Sequence, residues 1–175
     1  MKEKVMRNSL KYLLITTTLI VAAIIANHLS ADRGSQHATS STVSTLQLTE
    51  PVPGILAAVN EYRSTKHLPP LTMDRKLNSS SQAKAHDLVT NQYWSHTAPD
   101  GSTAWDFINE ASYDYKTAGE NLAKCYDSAD AVVNAWIASP SHEAVLVADY
   151  QDAGFGLQHN DNDNCEYVVG HFGRE

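Results

Sequence analysis

His96, Glu120 and His142 are the ionisable side chains of three short segments built from turn formers, small residues and aromatics. His96 ends Trp94-Ser95-His96 and runs into Pro99-Asp100-Gly101. Glu120 lies in Ala118-Gly119-Glu120-Asn121-Leu122-Ala123, and His142 closes Trp136-Ile137-Ala138-Ser139-Pro140-Ser141-His142. Two imidazoles and a carboxylate are the minimum set for a divalent-cation site or an acid–base site. Spacings of 24 and 22 residues exclude a local binding loop. If the three act together, the fold must bring them to one cleft. Taken singly, each has an ordinary reading. Glu120 after Gly119 can accept the backbone donors of a tight turn, and His142 after Pro140 can cap a helical turn.

Other chemistry-bearing residues read as structural. His86 sits mid-helix and reads as a surface residue. His159 and His171 fall 12 apart on the strands of a hairpin, where they can face each other, but a site there is the weaker reading. His28, His37 and His67 are assigned no role. Asp161-Asn162-Asp163-Asn164 offers the oxygens a hard cation prefers. Yet Glu166 stands where an EF-hand loop needs glycine and Cys165 occupies the ligand position before it, so the segment reads as a turn. Ser95 is adjacent to His96, whereas a nucleophile needs its base within hydrogen-bond reach, and the chain has no GxSxG elbow.

The elements that position these residues are legible from period and punctuation. Ile55, Leu56, Val59 and Tyr62 recur at helical spacing until Leu68-Pro69-Pro70. Asp74 caps a second helix with the face Leu77, Ser81, Ala85, Leu88 and Val89, ending before Trp94. Residues 96–104 read as a loop and 105–110 as a short helix. Tyr113 and Tyr115 lead through a short extended stretch to a turn at Gly119. Asp127 or Ser128 caps a third long helix carrying Val132, Val133 and Trp136, broken at Pro140, with one more turn at 142–146. The period then changes to two. Ala153, Phe155 and Leu157 form one strand and residues 166–172 a second, joined by the polar run 160–164. Helices first and a hairpin last give an α+β class with helices on a small antiparallel sheet.

The ends and the charge bound the setting. Residues 1–31 combine a basic start (Lys2, Lys4, Arg7, Lys11) with an apolar stretch from Tyr12 to Ala26. Such a segment is either a signal peptide or an N-terminal membrane anchor, and both readings export the rest of the chain. Residues 32–52 are a Ser/Thr-rich linker, and the domain occupies 53–175. The chain carries a net charge of −7; the first 31 residues hold +3, leaving −10 on the remainder. An acidic domain lacks the electrostatic footprint for nucleic acid, and membrane contact is expected only through the N-terminal segment. The two cysteines, Cys125 and Cys165, lie in the exported part and are expected to pair. Their loop of about 40 residues is worth about 4 kcal/mol in the chain-entropy model.

Laid end to end, these segments resemble the CAP superfamily, which contains the cysteine-rich secretory, antigen 5 and pathogenesis-related proteins, and in particular its short bacterial members. The similarity runs from about Ile55 to Gly173. It is carried by Asn60-Glu61-Tyr62-Arg63, Tyr93-Trp94-Ser95-His96 with Asp100-Gly101, Gly119 to Ala123, Trp136 with Ser139-Pro140-Ser141-His142, Gly154-Phe155-Gly156-Leu157, and Tyr167 to Gly173. The resemblance implies an α–β–α sandwich with a cleft lined by His96, Glu120 and His142. It also implies a divalent cation, often zinc, there; some relatives bind sterols or fatty acids, and few are proven enzymes. Three positions depart from the pattern: Ser139 replaces a second glutamate, Ser141 a glycine and Glu143 a basic residue. The two cysteines do not match the multi-disulfide pattern of the animal members. The expectation is an extracellular binding or interaction module for an unidentified protein, lipid or cell-wall partner, with zinc or a similar ion on His96, His142 and Glu120. One alternative is a metal-assisted extracellular hydrolase of peptide or cell-wall substrates, with His96 and His142 holding the ion and Glu120 as general base. The other is a lipid-binding carrier.

Overall fold

The computed structural model describes residues 51–175; the expected leader (1–31) and nearly all of the expected linker lie outside the described residues. The elements are α1 (Pro51–Thr65), β1 (Thr72–Met73), α2 (Arg75–Thr90), α3 (Ala104–Glu110), β2 (Thr117–Lys124), α4 (Ala129–Ile137), α5 (Pro140–Leu146), β3 (Asp152–Asn160) and β4 (Cys165–Arg174). Helix starts follow the side chains that can cap them. Asp74 accepts from the amides of Lys76 and Leu77, and Ser128 accepts from that of Ala131. Pro140 begins α5, where a missing N–H costs no helical bond.

The strands form one sheet in the order β1-β3-β4-β2. Helix α2 covers one face, and α1, α4 and α5 cover the other. The larger core lies on that second face, where Ile55, Val59, Val132, Val133, Trp136 and Leu146 pack on Ala153, Phe155, Val168 and Phe172. On the α2 face, Ala85 and Leu88 pack on Leu122, Tyr167 and Val169. This is the expected α–β–α arrangement. It requires α2 to lie very close to the sheet: a Cβ on Gly154 would fall 2.1 Å from the Leu77 backbone. The expected Cys125–Cys165 disulfide is present, with a Cα–Cα separation of 4.6 Å, and ties the end of β2 to the start of β4.

Three sequence expectations need correction. The sheet is mixed, not purely antiparallel, because β1 pairs parallel with β3; a two-residue strand has no alternation to read. Gly119 and Glu120 lie within β2, paired along its length with β4, and not in a turn. Gly119 serves close approach, since a Cβ there would meet the Tyr150 hydroxyl at 2.6 Å. His159 and His171 do not face each other: His159 pairs with Glu166, while His171 lies between Gly154 of β3 and Glu120 of β2.

Candidate functional site

Glu120 is the centre of the site. It lies on the edge strand β2 directly opposite His171 of β4, so both side chains project from the same face of the sheet, beneath α2. Its carboxylate is almost fully enclosed, with 3% side-chain exposure. His171 Nε2–H donates to Glu120 Oε2 at 3.1 Å, and His96 Nδ1–H donates to Oε1 at 2.6 Å. The buried ring of His171 is in turn fixed from α2, where Ser80 Oγ stands 2.8 Å from its Nδ1. One carboxylate therefore joins two imidazoles of opposite character. His171 is fully buried, whereas the His96 side chain is 60% exposed.

His142 reaches the site from the other side of the strand. Successive residues of a strand point to opposite faces, so Asn121 projects away from Glu120, and its Nδ2 donates to the His142 carbonyl at 3.0 Å. Helix α5 packs on that face through Leu146. Trp136 holds the same edge, its indole N–H donating to the Leu122 carbonyl at 3.0 Å. His142 lines a groove of about 330 Å³ with Trp94, Lys124, Tyr126, Trp136 and Ser139. Neither His96 nor Glu120 lines that groove.

The charges follow this geometry. The hydrogen bond to Glu120 raises the His96 pKa above the ordinary histidine value, against the opposing effects of burial and Lys84. Burial lowers the pKa of His142, and the charge of His96 lowers it further. Burial alone would raise that of Glu120. The bonds from His171 and His96, with the charges of His171 and Lys84, outweigh it and hold the carboxyl below its usual value. The site is thus a carboxylate favoured in its charged form, a His96 shifted toward its protonated form and a His142 shifted toward its neutral form.

Of the residues singled out in the sequence, His96 and Glu120 are in contact, and His142 is coupled to His96 through its charge. The three do not converge on one point. Among the described residues, three His, Cys or carboxylate donor atoms lie within 4.8 Å of one another only at Cys125, Asp163 and Cys165, where both sulfurs are spent in the disulfide. Sequence reasoning missed His171, Ser80 and Asn121. A usable signal existed for His171: it interrupts the apolar run of β4, and a polar side chain inside a strand buried on both faces requires a partner.

The sequence matches the Cysteine-rich secretory protein family, CAP, over residues 56–172, two thirds of its length. The chain belongs to the CAP family. A bacterial relative is the protein YkwD of Bacillus subtilis, 32% identical over 103 residues that make up 58% of this chain and 40% of YkwD. Among solved CAP-type structures, an outer surface protein of Borrelia burgdorferi is 27% identical, with a TM-score of 0.66 over 73% of this chain and 94% of that one. An extracellular protein of Bacillus anthracis containing an SCP domain shares the fold at 24% identity, with a TM-score of 0.65 over 71% of this chain and 40% of that one. This chain therefore spans less than half the length of YkwD and of the Bacillus anthracis protein, and CAP relatives include extracellular and outer-surface proteins. Among the described residues, no helix is long and apolar enough to cross a membrane.

A divalent cation bound here would have at most two protein nitrogens, one from His96 and one from His142. Both oxygens of Glu120 are taken by imidazoles, which makes Glu120 the carboxylate behind a ligand and leaves His96 Nε2 as the nitrogen free to coordinate. His142 supplies a second imidazole in the neutral form that coordination requires. Two protein nitrogens are fewer than the three ligands usual at catalytic zinc.

Proposed function

We propose that this CAP protein is an exported binding module whose His96 and His142 hold a borderline-soft divalent cation such as zinc, with Glu120 orienting His96 from behind. The observation that carries the reading is the Glu120 carboxylate bonded at both oxygens, to His96 at 2.6 Å and to His171 at 3.1 Å. A carboxylate in that state fixes the tautomer and aim of an imidazole ligand. It is badly placed as a general base. Its oxygens are occupied, it is enclosed, and its pKa is held below the ordinary carboxyl value, while a base working near neutrality needs a raised one. The geometry therefore favours binding over hydrolysis. Export is supported by the basic, then apolar, N-terminal sequence, by the disulfide and by the extracellular relatives.

The test is calorimetric titration of zinc into the protein near pH 7.5. Binding in the micromolar range or weaker is expected, lost in His142→Ala and reduced in His96→Ala. Binding unchanged in His142→Ala would refute the assignment and move the ion elsewhere, for instance to His159, whose ring nitrogens stand 3.6 Å from Asp161 and 3.6 Å from Glu166.

A further inference from the structure

Lys84 lies on the buried stripe of α2, one helical turn beyond Ser80, and is 0% exposed. Its Nζ donates to the Tyr93 hydroxyl at 2.8 Å and to the His96 carbonyl at 3.2 Å. The rings of Tyr93 and Phe107 stand over the ammonium, their centroids 4.9 and 5.2 Å away. The Tyr93 hydroxyl has one proton and donates it to Asp87 Oδ2 at 2.5 Å, so it meets Lys84 as an acceptor. Asp87, Tyr93 and Lys84 form a directed chain that ends on the His96 backbone. Among the described residues, both acceptors of Lys84 are neutral oxygens, and no carboxylate is ion-paired to it.

An enclosed ammonium without a carboxylate partner is costly, and an apolar side chain of similar volume would pack there at least as stably. The charges of Glu120, Asp87 and Asp100 offset part of that cost, with burial the larger effect on Lys84. His96 stands in the loop between α2 and α3, its side chain largely in solvent. The hydrogen bonds within that loop are local, such as the Ala98 amide to the Ser102 carbonyl at 2.8 Å, and Trp94, two residues before His96, packs edge-on against Tyr167 of β4 with ring centroids 5.0 Å apart. Lys84 ties the loop to α2 at the His96 carbonyl itself. One stripe of α2 thus grips both imidazoles of Glu120: Ser80 through the ring of His171, and Lys84 through the backbone of His96.

We propose that Lys84 is a positioning residue that anchors the His96 backbone so that the His96 ring meets the Glu120 carboxylate. Its consequence for cation affinity rests on the binding function proposed above; the positioning itself does not.

The experiment compares wild type, Lys84→Met, His96→Ala and the Lys84→Met/His96→Ala double variant. The readouts are the NMR resonance of the hydrogen-bonded His96 Nδ1 proton, zinc affinity by competition with a chromophoric chelator, and thermal melting. Lys84→Met is expected to stay folded, to lose the His96 proton resonance to exchange with water, and to bind zinc at least about tenfold more weakly, the range for loss of groups that orient a ligand. The double variant should bind no more weakly than His96→Ala alone, because Lys84 acts through His96. A folded Lys84→Met protein with the resonance intact would overturn the proposal. So would an equal further loss of affinity in the His96→Ala background. Should Lys84→Met fail to fold, Tyr93→Phe takes its place, with a broadened His96 resonance expected and an unchanged one overturning the proposal. If wild type shows the resonance but binds no zinc, the cation reading fails, and the resonance in Lys84→Met still decides the positioning role.

Discussion

Glu120→Gln separates the structural work of the carboxylate from any chemistry. The substitution keeps shape and volume but removes the charge from a group accepting two imidazole donors. His96 is 60% exposed and can turn its ring to water when its bond is lost. His171 is fully buried and must take the remaining amide oxygen. A bond to a charged group is worth about 1.5–3 kcal/mol and a neutral one about 0.5–1.5 kcal/mol. Losing one charged bond and weakening the other, less the relief of no longer burying a charge, comes to about 2–3 kcal/mol. For a domain of about 125 residues at roughly 4 °C per kcal/mol, the melting temperature should fall by about 8–12 °C at pH 7.5. Circular dichroism melts of both proteins give the number. The pH dependence adds a sign. The pKa of Glu120 is depressed, so its contribution is fully present above the unfolded value and is lost as pH falls through the folded value. The gap between the two melts should therefore close on acidification below pH 4. A variant melting within about 2 °C of wild type at pH 7.5, or a gap that widens in acid, would refute the bridging carboxylate.

Ser80→Ala removes the hydroxyl at 2.8 Å from the buried His171 ring and should cost about 1–3 kcal/mol, read by urea unfolding. Replacing Cys125 and Cys165 together by serine should destabilise the protein by about 2–4 kcal/mol, and adding a reductant to the double variant should change nothing further. By NMR titration, His96 should titrate above the ordinary histidine value and His142 below it, and His96→Ala should raise the pKa of His142 by removing the neighbouring charge. The linked stabilities have opposite signs: His96 stabilises most below its unfolded pKa and loses that contribution as pH rises through its folded one, whereas His142 becomes destabilising as pH falls through the unfolded value.

The long helices and the hairpin were legible because their core-facing residues recur at regular spacing in the sequence: Leu77, Ser81, Ala85 and Leu88 on α2, and Ala153, Phe155 and Leu157 on β3. Strand β2 was not. Gly119, Glu120 and Asn121 are poor strand formers, and only pairing with β4 and the partners of their side chains make the strand. His96, Glu120 and His142 stood out by type and by their family pattern. The groups that control them did not, because Ser80, His171 and Asn121 acquire meaning only through cross-strand and cross-layer contacts. Lys84 did leave a trace: a lysine four residues before Leu88, inside an apolar stripe, is a local conflict that points to a special environment.

Zinc-edge anomalous diffraction from soaked crystals tests the proposed cation site most directly. The expected result is one peak at the β2 edge, about 2.0–2.1 Å from His96 Nε2 and from a ring nitrogen of His142, with Glu120 still bonded to His96 Nδ1 and water completing the coordination. A peak bound directly by Glu120 with the His96–Glu120 bond broken, or a peak only at His159 and Glu166, would contradict it.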